Sequence, residues 1–303
     1  MSLPRPLTAQ PHYGRHLGDA GYWRPYIAEV LDRHGLPSAM IEAPFVGTFP
    51  TFLAGEVVVK LFGETFDGGQ SYAAEHAMCT LLAAHPEIPA PELVRSGDLF
   101  DDDSAWHWPY LITQRLTGTA IRAATVPGQV RSRVAAELGR AVAALHRLPI
   151  PDAVAGRDLL PELHRDAPSR LRRFGLPEHL VEQVPEFLID APAAHTLVHA
   201  DLTADHIFVD ARGLIGVIDW SDAIVADPWY ELVAVRFDGL SGDRELLRTF
   251  LDAYGWPADP KHAVRALQGV LLFQFNAIEQ LADRTDLSRV ASLDDLALRL
   301  FER

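Results

Sequence analysis

A single cysteine, Cys79, stands in 303 residues, so no disulfide can close within the chain. The opening stretch, "MSLPRPLTAQPHYGRH", has no apolar run of the kind a secretory signal carries. Both absences point to a reducing, cytoplasmic setting. No later run is long enough to span a bilayer. The most apolar, "GVLLFQFNAI", fits a buried helix instead, and no membrane partner is expected. Internal repeats and low-complexity tracts are also absent, which excludes solenoids and arrays.

Basic residues are in deficit. Lys and Arg number 27 against 41 Asp and Glu, for a formal net charge of −14. Nucleic acid is a poor partner for such a chain, because neutralising phosphates takes clustered Lys and Arg. A cationic substrate is steered toward it, although acidity also serves plain solubility. The apolar fraction of 48% and charged fraction of 22% suit a soluble chain with room for one large or two modest domains.

What is present is unevenly distributed. The first third is mixed. "EVVVKLF" is a β-branched run between glycines and predicts a strand. "SYAAEHAMCTLLAAH" has helical spacing, with Ala74, Met78, Leu81 and Leu82 on one side, and "PEIPAP" stops it. "WPYLITQRLTG" predicts a further strand running into a connection at Gly118. Within it "AWHWPY" fits a strand packing on its helix, and "DLFDDDSAW" a solvated turn.

The remainder is mainly helical. "RSRVAAELGRAVAALHRLP" places Val134, Leu138, Val142 and Leu145 on one stripe. "IPDAVAGRDLLPELHRDAP" is irregular and suits a loop shaping a substrate site. "HLVEQVPEFL" predicts a helix, and so does "DRELLRTFLDAYG", with Asp243 as N-cap and Gly255 as its stop. Between these two lies an island of strands, "TLVHADL", "HIFVD" and "LIGVIDW", with "DARG" as a hairpin turn.

The stretch "HADLTADHIFVD", 199–210, sits in that island and admits three readings. Its His and Asp residues can simply cap a turn. They can ligate a hydrolytic metal. Or they can form the catalytic loop of a phosphotransferase, where an Asp faces the acceptor hydroxyl and a residue five positions on binds magnesium.

The third reading makes demands elsewhere. A second Asp must follow a short hairpin strand, and Asp219 ends "LIGVID". A Lys on an earlier strand must hold the nucleotide phosphates, and Lys60 ends "EVVVK". A Glu on the next helix must fix that Lys, and Glu75 lies in "SYAAEHAMC". A polar or glycine-containing turn must precede the Lys strand, and "FVGTFPT" carries Gly47 and Thr48. Each is weak alone, but together they are ordered as phosphoryl transfer requires, and a hydrolase has no use for Lys60 or Glu75. The transition state is loose, with charge spread over the moving group, so the enzyme positions reactants and neutralises charge. Lys60 serves as a point charge oriented by Glu75, Asp219 as an oxygen ligand for magnesium, and Asp201 as the acceptor of the hydroxyl proton. His199 braces the loop.

"HADLTADHIFVD" followed by "GVIDWSDAIVADPWYELV" resembles the catalytic segment of the aminoglycoside phosphotransferase family, a branch of the kinase-like fold. "ELGRAVAALHRL" resembles the family's helix just upstream. Within the family, "VVVKLFGETFDGGQSYAAEHA", "WHWPYLITQRLTGT" and "FQFNAIEQLADRTDLS" are similar to segments of hygromycin B phosphotransferases. The likeness spans roughly residues 20–300.

The resemblance implies an α+β, two-lobed protein: a nucleotide-binding β-sheet lobe with one key helix over 1–115, and a mostly helical catalytic and substrate-binding lobe over 116–303. It implies ATP, or GTP, with its base held by backbone groups of Gln114 and Leu116, and Mg2+ held by His206 and Asp219. It implies a cationic antibiotic substrate, with Asp238, Glu279 and Asp283 as candidates for its ammonium groups. One departure stands out. The family usually has Asn where this chain has His206, and magnesium prefers oxygen to nitrogen. Macrolide phosphotransferases are similar in carrying His there, which makes macrolides the alternative substrates. A non-catalytic nucleotide- or drug-binding relative is the other reading His206 allows.

Overall fold

The computed structural model describes residues 3–6, 12–38, 40–42, 47–101, 105–157, 159–193 and 195–301. The chain divides into two compact units. The first is Met1–Thr117 together with Ile218–Asp222; the second is Gly118–Val217 with Ala223–Arg303. The second unit is mainly helical, and the first combines a four-stranded sheet with helices, the α+β architecture expected.

The first unit is built on four antiparallel strands, β1 (Thr51–Ala54), β2 (Val57–Leu61), β3 (Leu93–Asp98) and β4 (Pro109–Gln114), in the order β1-β2-β4-β3. The β-branched run 57–59 places β2 inside the sheet, where such side chains pack well. Its last three residues, Val59, Lys60 and Leu61, are buried. Lys60 lies opposite Thr51 of β1 and Leu111 of β4. The predicted key helix is Gly68–Leu82, and it buries Ala74, Glu75, Met78 and Leu82.

A further helix, Ala20–Arg33, supplies the core with Trp23, Tyr26, Ile27, Val30 and Leu31. These pack with Phe52, Val59, Leu61 and Ile112 of the sheet. Trp108 of "AWHWPY" lies 5.2 Å, ring to ring, from Trp23, but the strand expected over the block begins only at Pro109. The turn expected at "DLFDDDSAW" falls partly outside the described residues, at 102–104.

The second unit holds a three-stranded sheet, β5 (Thr119–Ala120), β7 (Ile207–Val209) and β8 (Leu214–Val217), in the order β5-β7-β8. It also holds a two-stranded pair of β6 (Thr196–Val198) and β9 (Ile224–Ala226). The β7–β8 hairpin closes at "DARG", where the Asp210 N–H donates to the Gly213 carbonyl at 3.0 Å. Helix Gly128–Leu145 buries Val134, Leu138, Val142 and Leu145 as its spacing predicts. Its partner is Arg244–Tyr254, capped at Asp243 and stopped at Gly255 with φ 78°. The two approach closely because a Cβ on Gly139 would sit 2.3 Å from the Phe250 carbonyl oxygen.

Three expectations need correction. "IPDAVAGRDLLPELHRDAP" is no loop: it forms a short helix, Asp152–Ala155, and a long one, Leu159–Arg173. Pro161 falls in the first turn, where its missing N–H costs nothing. Pro168 is absorbed mid-helix because Leu163, Ala167 and Leu171 form a buried stripe. "HLVEQVPEFL" is two short helices, Glu178–Val181 and Val184–Phe187, interrupted where Pro185 starts the second. The apolar "GVLLFQFNAI" is helical only to Leu272, the last residue of helix His262–Leu272. There Arg170 donates to the carbonyls of Leu271 and Phe273. Among the described residues no helix is long and apolar enough to cross a membrane.

Candidate active site

The first unit gathers three of the expected residues. Lys60 Nζ donates to Glu75 Oε2 at 2.7 Å and to Asp219 Oδ1 at 2.8 Å. β2 delivers the lysine, the Gly68–Leu82 helix the glutamate, and the returning 218–222 segment the aspartate. Asp219 sits in the left-handed backbone region, φ 63°, which Asp tolerates better than most residues. Ser221 Oγ donates to the same Oδ1 at 2.6 Å. Burial works against the Lys60 charge, but Asp219 and Glu75 outweigh it and hold its pKa above the usual lysine range. Burial pushes Glu75 up to about 7, against the pull of Lys60. Lys60 is therefore a fixed point charge, and burial holds the Glu75 carboxyl well above the usual carboxylate range.

The second unit holds the 199–206 loop between β6 and β7. Ala200 takes φ 68°, a conformation a non-glycine residue keeps only when its surroundings impose it. Glu231 imposes it. This fully buried carboxylate accepts the N–H groups of His199 at 2.7 Å and Ala200 at 3.2 Å. His146 Nε2 lies 3.6 Å from Glu231, and its Nδ1 is 2.9 Å from the Tyr254 hydroxyl. Burial pushes that phenol up to about 12, so it stays neutral. Replacing Glu231 by Ala orphans two buried N–H groups, each costing about 1–3 kcal/mol. Glu231→Gln keeps one carbonyl acceptor. Urea unfolding should rank stability as wild type, then Gln, then Ala.

Asp201 follows. Its N–H donates to His199 Nδ1 at 3.2 Å, which makes Nδ1 the acceptor nitrogen of that ring. His206 closes the loop from the other side. Its Nδ1 lies 2.8 Å from the Asp201 carbonyl oxygen, 3.3 Å from Asp201 Oδ2 and 3.2 Å from Thr203 Oγ1. Facing a carbonyl and a carboxylate, Nδ1 carries the ring hydrogen, and Nε2 is the nitrogen with ligand character. Nitrogen suits manganese or zinc more than magnesium, whereas the Asp219 carboxylate suits magnesium well. Among the described residues no cluster of three or more His, Cys, Asp or Glu is arranged to hold a metal, the arrangement a zinc hydrolase centre needs.

The other candidates lie as follows. Gly47 leads into a bend at Thr48 and Phe49 before β1; the first two residues of "FVGTFPT" are outside the described residues. Gln114 ends β4, with its N–H donating to the Glu92 carbonyl at 2.9 Å, and Leu116 is half-buried two residues on. Asp238 is engaged with Arg122 at 2.7 and 2.8 Å and accepts the Ala204 N–H at 2.6 Å. Glu279 is exposed and accepts from Asn276 Nδ2 at 2.9 Å. Asp283 is exposed at the end of helix Ile278–Ala282. Glu231, Arg122 and Ser221 were not anticipated; only the acid in "DPWYELV", shortly after the second Asp, offered a signal.

Residues 49–267 match the model of the phosphotransferase enzyme family. An aminoglycoside phosphotransferase, APH(2″)-IIIa, solved with GDP and kanamycin, superposes with TM-score 0.62 at 18% identity, covering 91% of this chain and 95% of that one. The macrolide 2′-phosphotransferase MphH from Brachybacterium faecium gives 0.61 at 19% identity over 93% and 99%. An ADP-bound aminoglycoside phosphotransferase, APH(2″)-Ib, gives 0.58 at 19% over 90% and 96%. At these identities the likeness establishes the kinase-like fold. A curated relative, lysine-specific demethylase JMJ21 of Arabidopsis thaliana, is 24% identical over 56% of this chain, which spans only 23% of that protein. With 219 consecutive residues inside the family model, the chain belongs to the phosphotransferase enzyme family.

Proposed function

We propose that the chain is an ATP- and Mg2+-dependent O-phosphotransferase acting on a hydroxyl of an aminoglycoside-type antibiotic, of which hygromycin B is the leading candidate, and thereby conferring resistance. The observation that carries it is Lys60 held by both Glu75 and Asp219, an arrangement suited to anionic phosphates and to nothing a hydrolase does.

In this reading backbone groups of Gln114 and Leu116 hold the nucleotide base, Gly47 and Thr48 border the phosphates, and Lys60 contacts the α- and β-phosphates. Asp219 and His206 would hold the magnesium ion, which neutralises charge on the transferring group when bound. Asp201 takes the acceptor proton as the hydroxyl oxygen bonds to the γ-phosphorus and the bond to ADP breaks. Glu279 and Asp283, both exposed, are proposed to meet substrate ammonium groups, with the net charge of −14 steering a cationic drug inward. GTP is the alternative donor; of the solved relatives, APH(2″)-IIIa is a GDP complex and APH(2″)-Ib an ADP complex.

His206 favours a second acceptor class, macrolides, and a macrolide kinase is among the structural relatives. Mass spectrometry separates the two. Hygromycin B, other aminoglycosides and macrolides are each incubated with the chain, magnesium and ATP or GTP. A phosphate gained by an aminoglycoside supports the reading, and one gained only by macrolides moves it to the second class. Unmodified drugs throughout would sink both.

A further inference from the structure

We propose that Arg122 is a positioning residue for the catalytic loop: with Asp238 it clamps the 203–206 turn from outside and so keeps His206 seated on Asp201. The inference rests on the phosphotransferase reading for what the loop does, but the clamp itself is visible in the second unit alone.

The contacts converge on one turn. Arg122 Nε donates to Asp205 Oδ2 at 2.8 Å, and Nη2 donates to both Asp238 oxygens at 2.7 and 2.8 Å. Asp238 Oδ1 also accepts the Ala204 N–H at 2.6 Å. The Arg122 backbone N–H donates to the Ala204 carbonyl at 3.1 Å, and the Ile121 N–H donates to the Ile207 carbonyl at 2.8 Å. Both polar groups of Ala204 are therefore held, one by each arm. Strand β5 delivers the arginine, because Thr119 and Ala120 pair with Val209 and Phe208.

The second arm comes from a π-helical turn, Val235–Gly239, directly after helix Pro228–Ala234. Such turns frequently mark functional sites. A Cβ on Gly239 would lie 2.6 Å from the Leu202 carbonyl oxygen, so the turn approaches the loop as closely as glycine permits. One continuous segment, 228–239, thus grips the loop twice: Glu231 at His199 and Ala200, Asp238 at Ala204. Arg122 ties the second grip to Asp205, the residue before His206. A guanidinium is needed, since its fork presents donors to two carboxylates at once.

A surface ion pair of this exposure usually matters little, and here the Arg122 side chain is 50% exposed. The test must therefore read position rather than stability. We would measure kcat, both KM values and Tm for Arg122→Ala, His206→Ala and the double variant. Loss of an outer partner of a ligand or catalytic group costs about 10–100-fold in activity, and that loss is expected in kcat, with the nucleotide KM and Tm little changed. If Arg122 acts through His206, the double variant is no slower than His206→Ala. Wild-type kcat in Arg122→Ala, or losses that multiply in the double variant, would overturn the proposal. A second readout needs no turnover. In 15N-histidine-labelled protein, the His206 Nδ1–H resonance should shift or broaden in Arg122→Ala, and an unchanged resonance would also overturn it. If no acceptor is ever phosphorylated, the function proposed above fails while this spectrum still decides the clamp.

Discussion

Asp201→Ala is expected to lower kcat about 10²–10⁴-fold, the range a positioned general base contributes, and to leave nucleotide affinity essentially unchanged. The split follows from where the side chain sits. The Asp201 backbone makes the loop's structural bonds: its N–H to His199 Nδ1 and its carbonyl to His206 Nδ1. The carboxylate Oδ2 lies 3.3 Å from that same nitrogen. Truncation keeps these backbone bonds and removes the group proposed to accept the hydroxyl proton. Steady-state kinetics beside a nucleotide titration would check it. Equal losses in affinity and turnover would place Asp201 in binding rather than chemistry.

Lys60→Met is expected to destabilise the fold strongly and in a pH-dependent way. With the ammonium gone, Glu75, only 9% exposed at its side chain, is left without its cation. Breaking a buried ion pair by removing one partner costs on the order of 3–5 kcal/mol. Glu75 has an escape, because burial already raises it to about 7 even beside Lys60. Without the lysine it rises further. A raised carboxylate keeps its contribution to stability below its unfolded pKa and loses it as pH climbs through the folded value. The penalty of Lys60→Met should thus be small near pH 5 and grow on passing above neutrality. Glu75→Gln in the same chain should flatten that dependence. Thermal melts of the three variants across pH would show it. A penalty independent of pH would mean Glu75 is not the group responsible. Phosphate affinity should fall at every pH, since the positive charge is lost throughout.

The chemistry of the site was more legible than its bracing. Lys60, Glu75 and Asp219 could be linked in advance because their residue types and element types are tied to one reaction in a fixed order. Arg122, Asp205, Asp238 and Glu231 could not. Their bonds span 83, 116 and 32 residues, and an acid or arginine looks the same in sequence whether it is solvated or clamped. The return of Ile218–Asp222 to the first unit was hidden for a similar reason, since the hairpin pattern reads straight through it. Among the elements, β2 and its helix announced themselves through β-branching and helical period. Helix Ala20–Arg33 did not, with Pro25 inside it, and Leu159–Arg173 hid behind Pro161 and Pro168. In both, burial of one face overrides a residue that locally signals a break.

The measurement that bears most directly on the account is drug-dependent ADP release, followed in parallel for the wild-type chain and Asp201→Ala, with magnesium and ATP. The account predicts release by wild type that rises with added aminoglycoside and is all but abolished in the variant, with both proteins binding nucleotide alike. Release that ignores the drug, or that survives intact in Asp201→Ala, would contradict it.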